Sequence, residues 1–154
     1  MNPDLDHSQS FELCFQSELT RIEQALHQWL PPVSQRPNTL HEAMRYSVLN
    51  GGKRIRPLLT LATCHMVGAD EAEGLIPACA VELVHCYSLI HDDLPCLDND
   101  ETRRSKPTCH KKFGEAMALL AGDALLTLAF GILGEMKDAE KGHRILRELA
   151  HAAG

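Results

Sequence analysis

The chain has 154 residues, 44% of them hydrophobic and only 5% aromatic, enough for one domain with a sizeable core of Leu, Ala and Met. A net charge of −6 excludes general nucleic-acid binding, which needs a broad basic surface. The six cysteines, at positions 14, 64, 79, 86, 96 and 109, form no Cys-x-x-Cys pair, which argues against zinc and redox motifs; with no secretory signal, reduced thiols and a cytoplasmic protein are expected.

Met1–Gln9 is polar and expected to fray. Ser10 can cap a first helix, in which Phe11, Phe15, Leu19, Ile22, Leu26 and Trp29 follow at steps of three and four along one face, until Pro31-Pro32 ends it. Thr39-Leu40-His41-Glu42 reads as a capping box, with Thr39 as N-cap. Gly51-Gly52 closes that second helix, and Pro57 fits the first turn of a third, Leu58 to Val67, stopped by Gly68. Lys53, Arg54 and Arg56 therefore lie in the joint between two helices, where the amides of a helix start add to the positive field; taken alone they read equally as a solvated basic loop.

Pro77 can open the next helix, which is apolar on every face through Ile90 and should be central. Its polar insertions are Glu82, His85, Ser88 and His91. A lone histidine in such a helix is more often a core residue than a ligand, and Tyr87 reads as packing. Glu101 to Lys112 is a charged connector. Two helices, about 113–121 and 123–136, are expected to meet at a break at Gly122-Asp123, and a last helical piece runs from Gly142 to Ala153. The run Ala116 to Leu133 is very apolar, but Asp123 would cost roughly 2.5–3.5 kcal/mol in a bilayer and the run is short of the ~20 residues a span needs. A buried helix pair and no stable membrane insertion are expected. No strand-like alternation and no repeat occur, so the class is all-α.

The chemistry concentrates in His91-Asp92-Asp93-Leu94-Pro95-Cys96-Leu97-Asp98-Asn99-Asp100. Acids at a helix C-terminus oppose the dipole, so the cluster calls for a cation, and hard oxygen ligands of this kind suit Mg²⁺, which fills its other positions with water and substrate phosphates. Pro95 cannot continue the helix. Asp92 and Asp93 should therefore sit on it, and Asp98 should come from a distorted turn that folds back; an unbroken helix would hold Asp92 and Asp98 about 120° apart. Arg103-Arg104 downstream and Lys53 to Arg56 upstream supply fixed cations. Together these describe a site for a diphosphate.

Gly51-Gly52-Lys53-Arg54-Ile55-Arg56-Pro57, then Tyr87-Ser-Leu-Ile-His-Asp-Asp-Leu-Pro-Cys-Leu-Asp98, Arg103-Arg104, Pro107-Thr108-Cys109-His110, Lys112 to Ala116 and Leu120 to Leu125 resemble the trans-isoprenyl diphosphate synthases, the bacterial farnesyl diphosphate synthases above all. The resemblance spans nearly the whole chain, 1–154, as one polyprenyl synthase domain. It implies the N-terminal half of an isoprenoid (terpenoid) synthase helical bundle. It also implies Mg²⁺ held by Asp92 and Asp98 with Asp93 in its shell, isopentenyl diphosphate bound by Lys53, Arg56, His85 and Arg104, and the allylic diphosphate held by Arg103. The implied reaction condenses isopentenyl diphosphate with dimethylallyl or geranyl diphosphate: the allylic C–O bond ionises, the isopentenyl double bond attacks, and a proton leaves, giving farnesyl diphosphate and diphosphate. Dry apolar walls must shield the cation, and helix 78–90 offers one. In this family a large residue at the place of Tyr87, together with the inserted Pro95-Cys96, goes with a fifteen-carbon product, so Tyr87, with Ser88 beside it, is expected to floor the pocket. The full-length form is expected to be a homodimer.

The main departure is length: relatives are about twice as long and carry a second aspartate-rich motif, whereas after residue 123 this chain has no Asp-Asp-x-x-Asp. It is expected to be a truncated form that alone is weak or inactive. Asn99, where relatives often have Asp, is a minor departure. Two other readings compete. A His-Asp-type metal phosphohydrolase would use His65, His91-Asp92 and Asp123 but leaves Gly51–Pro57 and Arg103-Arg104 unexplained. A non-catalytic partner subunit of a prenyl synthase would not need the costly Asp92/Asp98 pair.

Overall fold

The computed structural model describes residues 7–154, with side chains from residue 15 onward. Seven helices and one short ribbon follow in order among the described residues: α1 (His7–Trp29), α2 (Asn38–Val48), α3 (Ile55–Met66), α4 (Glu71–Asp92), β1 (Thr102–Arg103), β2 (Lys106–Pro107), α5 (Cys109–Phe113), α6 (Glu115–Gly134) and α7 (Ala139–Ala153). The all-α class holds. The fraying expected of Met1–Gln9 concerns, for residues 1–6, a stretch outside the described residues; α1 already runs from His7, so Ser10 lies within it and is not its cap.

Central α4 packs on α6 and α3 and is touched by α1, α2 and α7. Its Ala78, Cys79, Ala80 and Leu83 are fully buried, against Ile22 and Leu26 of α1, Val48 of α2, Leu61 of α3 and Leu125, Ala129 and Leu133 of α6. Its apolar run calls for burial on all sides, but Val81, His85 and Ser88, along one stripe, are only half-buried. By length and composition α4 and α6 could each cross a membrane, yet here they pack on one another, and α4 buries a charged Glu82.

Several expected boundaries move, each for a local reason. Pro37, not Thr39, precedes α2: its carbonyl already accepts from the His41 amide at 3.2 Å, and Asn38 closes the loop by donating to the Val33 carbonyl. Thr39 therefore sits inside the first turn and forms no capping box. Helix α4 starts six residues before Pro77, because Asp70 accepts from the Ala72 amide at 2.9 Å and Glu71 and Glu73 suit the positive end of the dipole. Pro77 is carried inside the helix, buried. The expected break at Gly122-Asp123 is absent; α6 runs straight through it, and Gly122 serves packing instead. Helix α7 starts three residues before Gly142, where Asp138 accepts from the Lys141 amide at 3.0 Å. The charged connector, expected to be irregular, holds an antiparallel ribbon that pairs Thr102 with Pro107 and Arg103 with Lys106.

Candidate diphosphate and metal site

The end of α4 builds the site. Asp93 caps the helix, its amide bonding the Leu89 carbonyl at 3.1 Å, and Pro95 stops it there. The chain then turns on the buried Leu94. The amides of Leu97 and Asn99 bond the Leu94 carbonyl at 2.9 and 3.1 Å, and the amide of Asp98 donates to the Asp92 carbonyl at 2.8 Å. This last bond carries Asp98 back onto the helix end beside Asp92, the fold-back expected from Pro95. Both residues are exposed, and among the described residues neither carboxylate is engaged in an ion pair.

Asp93 behaves differently. Its side chain is only 4% exposed and is gripped by Arg103, with Nε donating to both carboxylate oxygens at 2.9 Å and Nη2 to Oδ1 at 2.5 Å. Arg103 also reaches Asp100 at 3.4 Å. The residue expected to stand in a metal shell and the residue expected to hold an allylic diphosphate are thus bonded to each other, because a carboxylate buried at a helix C-terminus needs a cation. These acids raise the Arg103 pKa, the Asp93 hydrogen bonds first.

Arg104 and Ser105 make the ribbon's tight turn, both with positive φ, 53° and 62°, as a type I′ turn requires. That turn carries the Arg104 guanidinium to the Gly51 carbonyl, to which it donates. It lies so close over Gly52 that a Cβ there would overlap it. The glycine pair is needed twice, for positive φ (81° and 131°) and for this contact. The basic joint and the arginine ribbon, 50 residues apart in sequence, are one surface.

Lys53 and Arg56 are exposed in that joint. His85, half-buried on α4, faces the same cations: burial first, then the charges of Arg56, Arg104 and Arg103, push its pKa below the ordinary value, with Glu82 opposing. Val81, His85, Ser88 and Asp92 recur at helical spacing and so share one stripe of α4. Val81 floors an open groove of about 1080 Å³ between α3 and α7, lined by Cys64, Pro77, Ile145 and Leu149 and, from α7, by the charged Lys141, Arg144, Arg147 and Glu148. Of the two expected floor residues, Ser88 lies on the stripe, its hydroxyl donating to the His85 carbonyl at 2.9 Å. Tyr87 is about 140° round the helix from Asp92; it does not line this groove, and its ring meets His91 edge-on at 5.6 Å.

Arg54 does not join the exposed cations. Its side chain is buried and paired with Glu82 at 2.8 Å and Glu23 at 2.7 Å. The sequence signal for this is Glu82, the one acid within the apolar stretch of α4, whose burial calls for a cation. Of the phosphohydrolase constellation, His91 and Asp123 meet at 3.8 Å, but His65 does not join them. His65 pairs with Glu71 at 2.7 Å, at the opposite end of α4 from Asp92, roughly 30 Å away at 1.5 Å rise per residue.

The polyprenyl synthetase family model matches residues 37–153. The chain is 50% identical over 149 residues to a farnesyl diphosphate synthase of Geobacillus stearothermophilus, covering 94% of this chain and 50% of that protein. It is 56% identical over 124 residues to geranylgeranyl pyrophosphate synthase 11 of Arabidopsis thaliana, covering 78% and 35%. Among solved structures, an FPP/GFPP synthase from Zymomonas mobilis superposes with a TM-score of 0.89 at 43% identity, covering 94% of this chain and 53% of that one. A geranyltransferase from Legionella pneumophila gives 0.92 at 38%, covering 97% and 54%. The helical fold is therefore that of isoprenoid synthases, and the chain spans between 35% and 54% of the length of these relatives.

Proposed function

The chain belongs to the polyprenyl synthetase family, and on that premise we propose that it forms the diphosphate-binding part of a prenyltransferase joining isopentenyl diphosphate to an allylic diphosphate. The observation that supports this reading is the Asp98-to-Asp92 backbone bond, which returns Asp98 to the helix end where Asp93 holds Arg103, next to the Arg104 that reaches Gly51 of the basic joint. The donor set, the two exposed carboxylates of Asp92 and Asp98, fits Mg²⁺. Mg²⁺ bound to Asp92 and Asp98 would stabilise charge on a departing diphosphate. Asp93 fixes the Arg103 guanidinium, which orients that charge-stabilising group toward the same end of α4. Lys53, Arg56, His85 and Arg104 bind and orient the isopentenyl diphosphate. The groove floored by Val81, on the same stripe as His85 and Asp92, offers one route for the hydrocarbon. The finer reading is farnesyl diphosphate as product, favoured by the inserted Pro95-Cys96 and by the likeness to the Geobacillus synthase.

The test is incubation with isopentenyl and dimethylallyl diphosphates plus Mg²⁺, followed by extraction and chromatography of prenyl products. The expected result is at most weak prenyl product from this chain alone, which Asp92→Asn and Asp98→Asn each abolish. Orthophosphate release without prenyl product would overturn the reading.

A further inference from the structure

Arg54 stands between two outward-facing cations and points the other way. Its Nε donates to the Glu23 carboxylate at 2.7 Å, Nη1 to Glu82 at 2.8 Å and Nη2 to the Val48 carbonyl at 2.7 Å. One guanidinium thereby ties α1, α2 and α4 together. The side chains of Arg54 and Glu82 are 0% and 3% exposed. Burial would lower the Arg54 pKa, but Glu23 and Glu82 outweigh it and hold the charge firmly. The backbone of Arg54 has φ 49°, a left-handed conformation that a non-glycine residue keeps only where surrounding contacts over-determine it.

A buried ion pair is weak evidence for stability, since apolar residues of like volume often pack as well; its best-attested use is to fix registry. The registry here is specific. Lys53 and Arg56 flank Arg54, so turning Arg54 inward leaves both exposed. Glu82 lies one turn before His85 on α4, so the pair sets the height of the joint along α4 at the level of His85. We propose that Arg54 and Glu82 are positioning residues, which register Lys53 and Arg56 against His85 for binding a diphosphate. This rests on the diphosphate reading above for its purpose, though not for its geometry.

The experiment compares the full chain with Arg54→Met/Glu82→Leu and with Arg54→Lys, which keeps the charge but cannot make the three-way fork. Three readouts are taken: the thermal midpoint, hydrogen exchange of amides 51–56, and affinity for inorganic pyrophosphate with Mg²⁺ by calorimetry. The double variant is expected to keep its midpoint within a few degrees, to exchange at least about tenfold faster across 51–56 and to bind pyrophosphate at least about tenfold more weakly. Arg54→Lys is expected to show the same loosening, and it answers the question should the double variant not fold. Exchange that stays at the unsubstituted rate in a folded variant overturns the proposal. Faster exchange in a chain that never binds pyrophosphate upholds the registering role and overturns the diphosphate reading instead.

Discussion

Gly122 of α6 lies so close to His91 of α4 that a Cβ there would overlap the imidazole. The His91 ring sits between the Leu119 carbonyl, 3.1 Å from Nε2, and the edge of Tyr87. Turning it aside would break both contacts. Gly122→Ala gains about 1 kcal/mol of helix propensity but overpacks this crossing by about 1–3 kcal/mol. The expected outcome is a net loss of about 1 kcal/mol, read from the urea midpoint, with the Gly122→Ala/His91→Ala double variant recovering part of it.

Arg103 and Arg104 are adjacent but should not be equivalent. Arg103→Gln leaves the carboxylate of Asp93, 4% exposed, without its cation. Breaking a fully buried pair costs 3–5 kcal/mol; with Arg103 about one-third exposed the expected cost is about 1–3 kcal/mol. Arg104→Gln loses a hydrogen bond to an exposed loop carbonyl, about 1 kcal/mol. Chemical denaturation of the two variants side by side checks the order.

The His85 pKa lies below its ordinary 6.5, through burial and then Arg56. Above pH 6.5 the imidazole is neutral in both folded and unfolded chains and contributes no pH dependence. As pH falls below 6.5 the unfolded chain takes a proton that the folded chain resists. Stability therefore falls with pH down to the folded value and levels off beneath it. His85→Gln should remove that part of the acid lability in unfolding curves taken across the window. Adding pyrophosphate with Mg²⁺ should move the His85 titration upward in NMR spectra, since an anion favours the imidazolium.

The thiols of Cys79 and Cys86 are pushed up to about 12, by burial first, and Cys109 is raised for the same reason. At pH 8 they are almost wholly protonated, and the thiolate is the nucleophile. Cys96, exposed in the turn after Pro95, should be alkylated within minutes, whereas Cys79, Cys86 and Cys109 should wait for unfolding. Peptide mass spectrometry after a timed iodoacetamide pulse reads this directly.

Tyr87 meets His91 on the α6 flank of α4, away from the groove floored by Val81. If the growing chain runs along that flank, Tyr87→Ala lengthens the prenyl product in a preparation that makes one. If it runs along the groove, Val81→Phe shortens it and Tyr87→Ala leaves it unchanged. Chromatography of the dephosphorylated products separates the two routes.

The sequence alone determined the features set by local physics. Pro95 had to end α4 and return Asp98 toward Asp92, and Gly51-Gly52 had to take positive φ. The apolar run through Ile90 had to form a central helix. Each follows from one residue's own geometry or from a short periodicity. Only the tertiary structure decided what depended on a partner distant in sequence. Gly122 looked like a helix breaker until His91 was found against it. Arg54 reads in the sequence as one more solvated cation, but Glu82 and Glu23 enclose it; Arg103 reads as a cation for a diphosphate, but Asp93 grips it. A charge's neighbours, not its type, decide whether it faces a substrate or holds the fold. Those neighbours are brought by packing that no local pattern records.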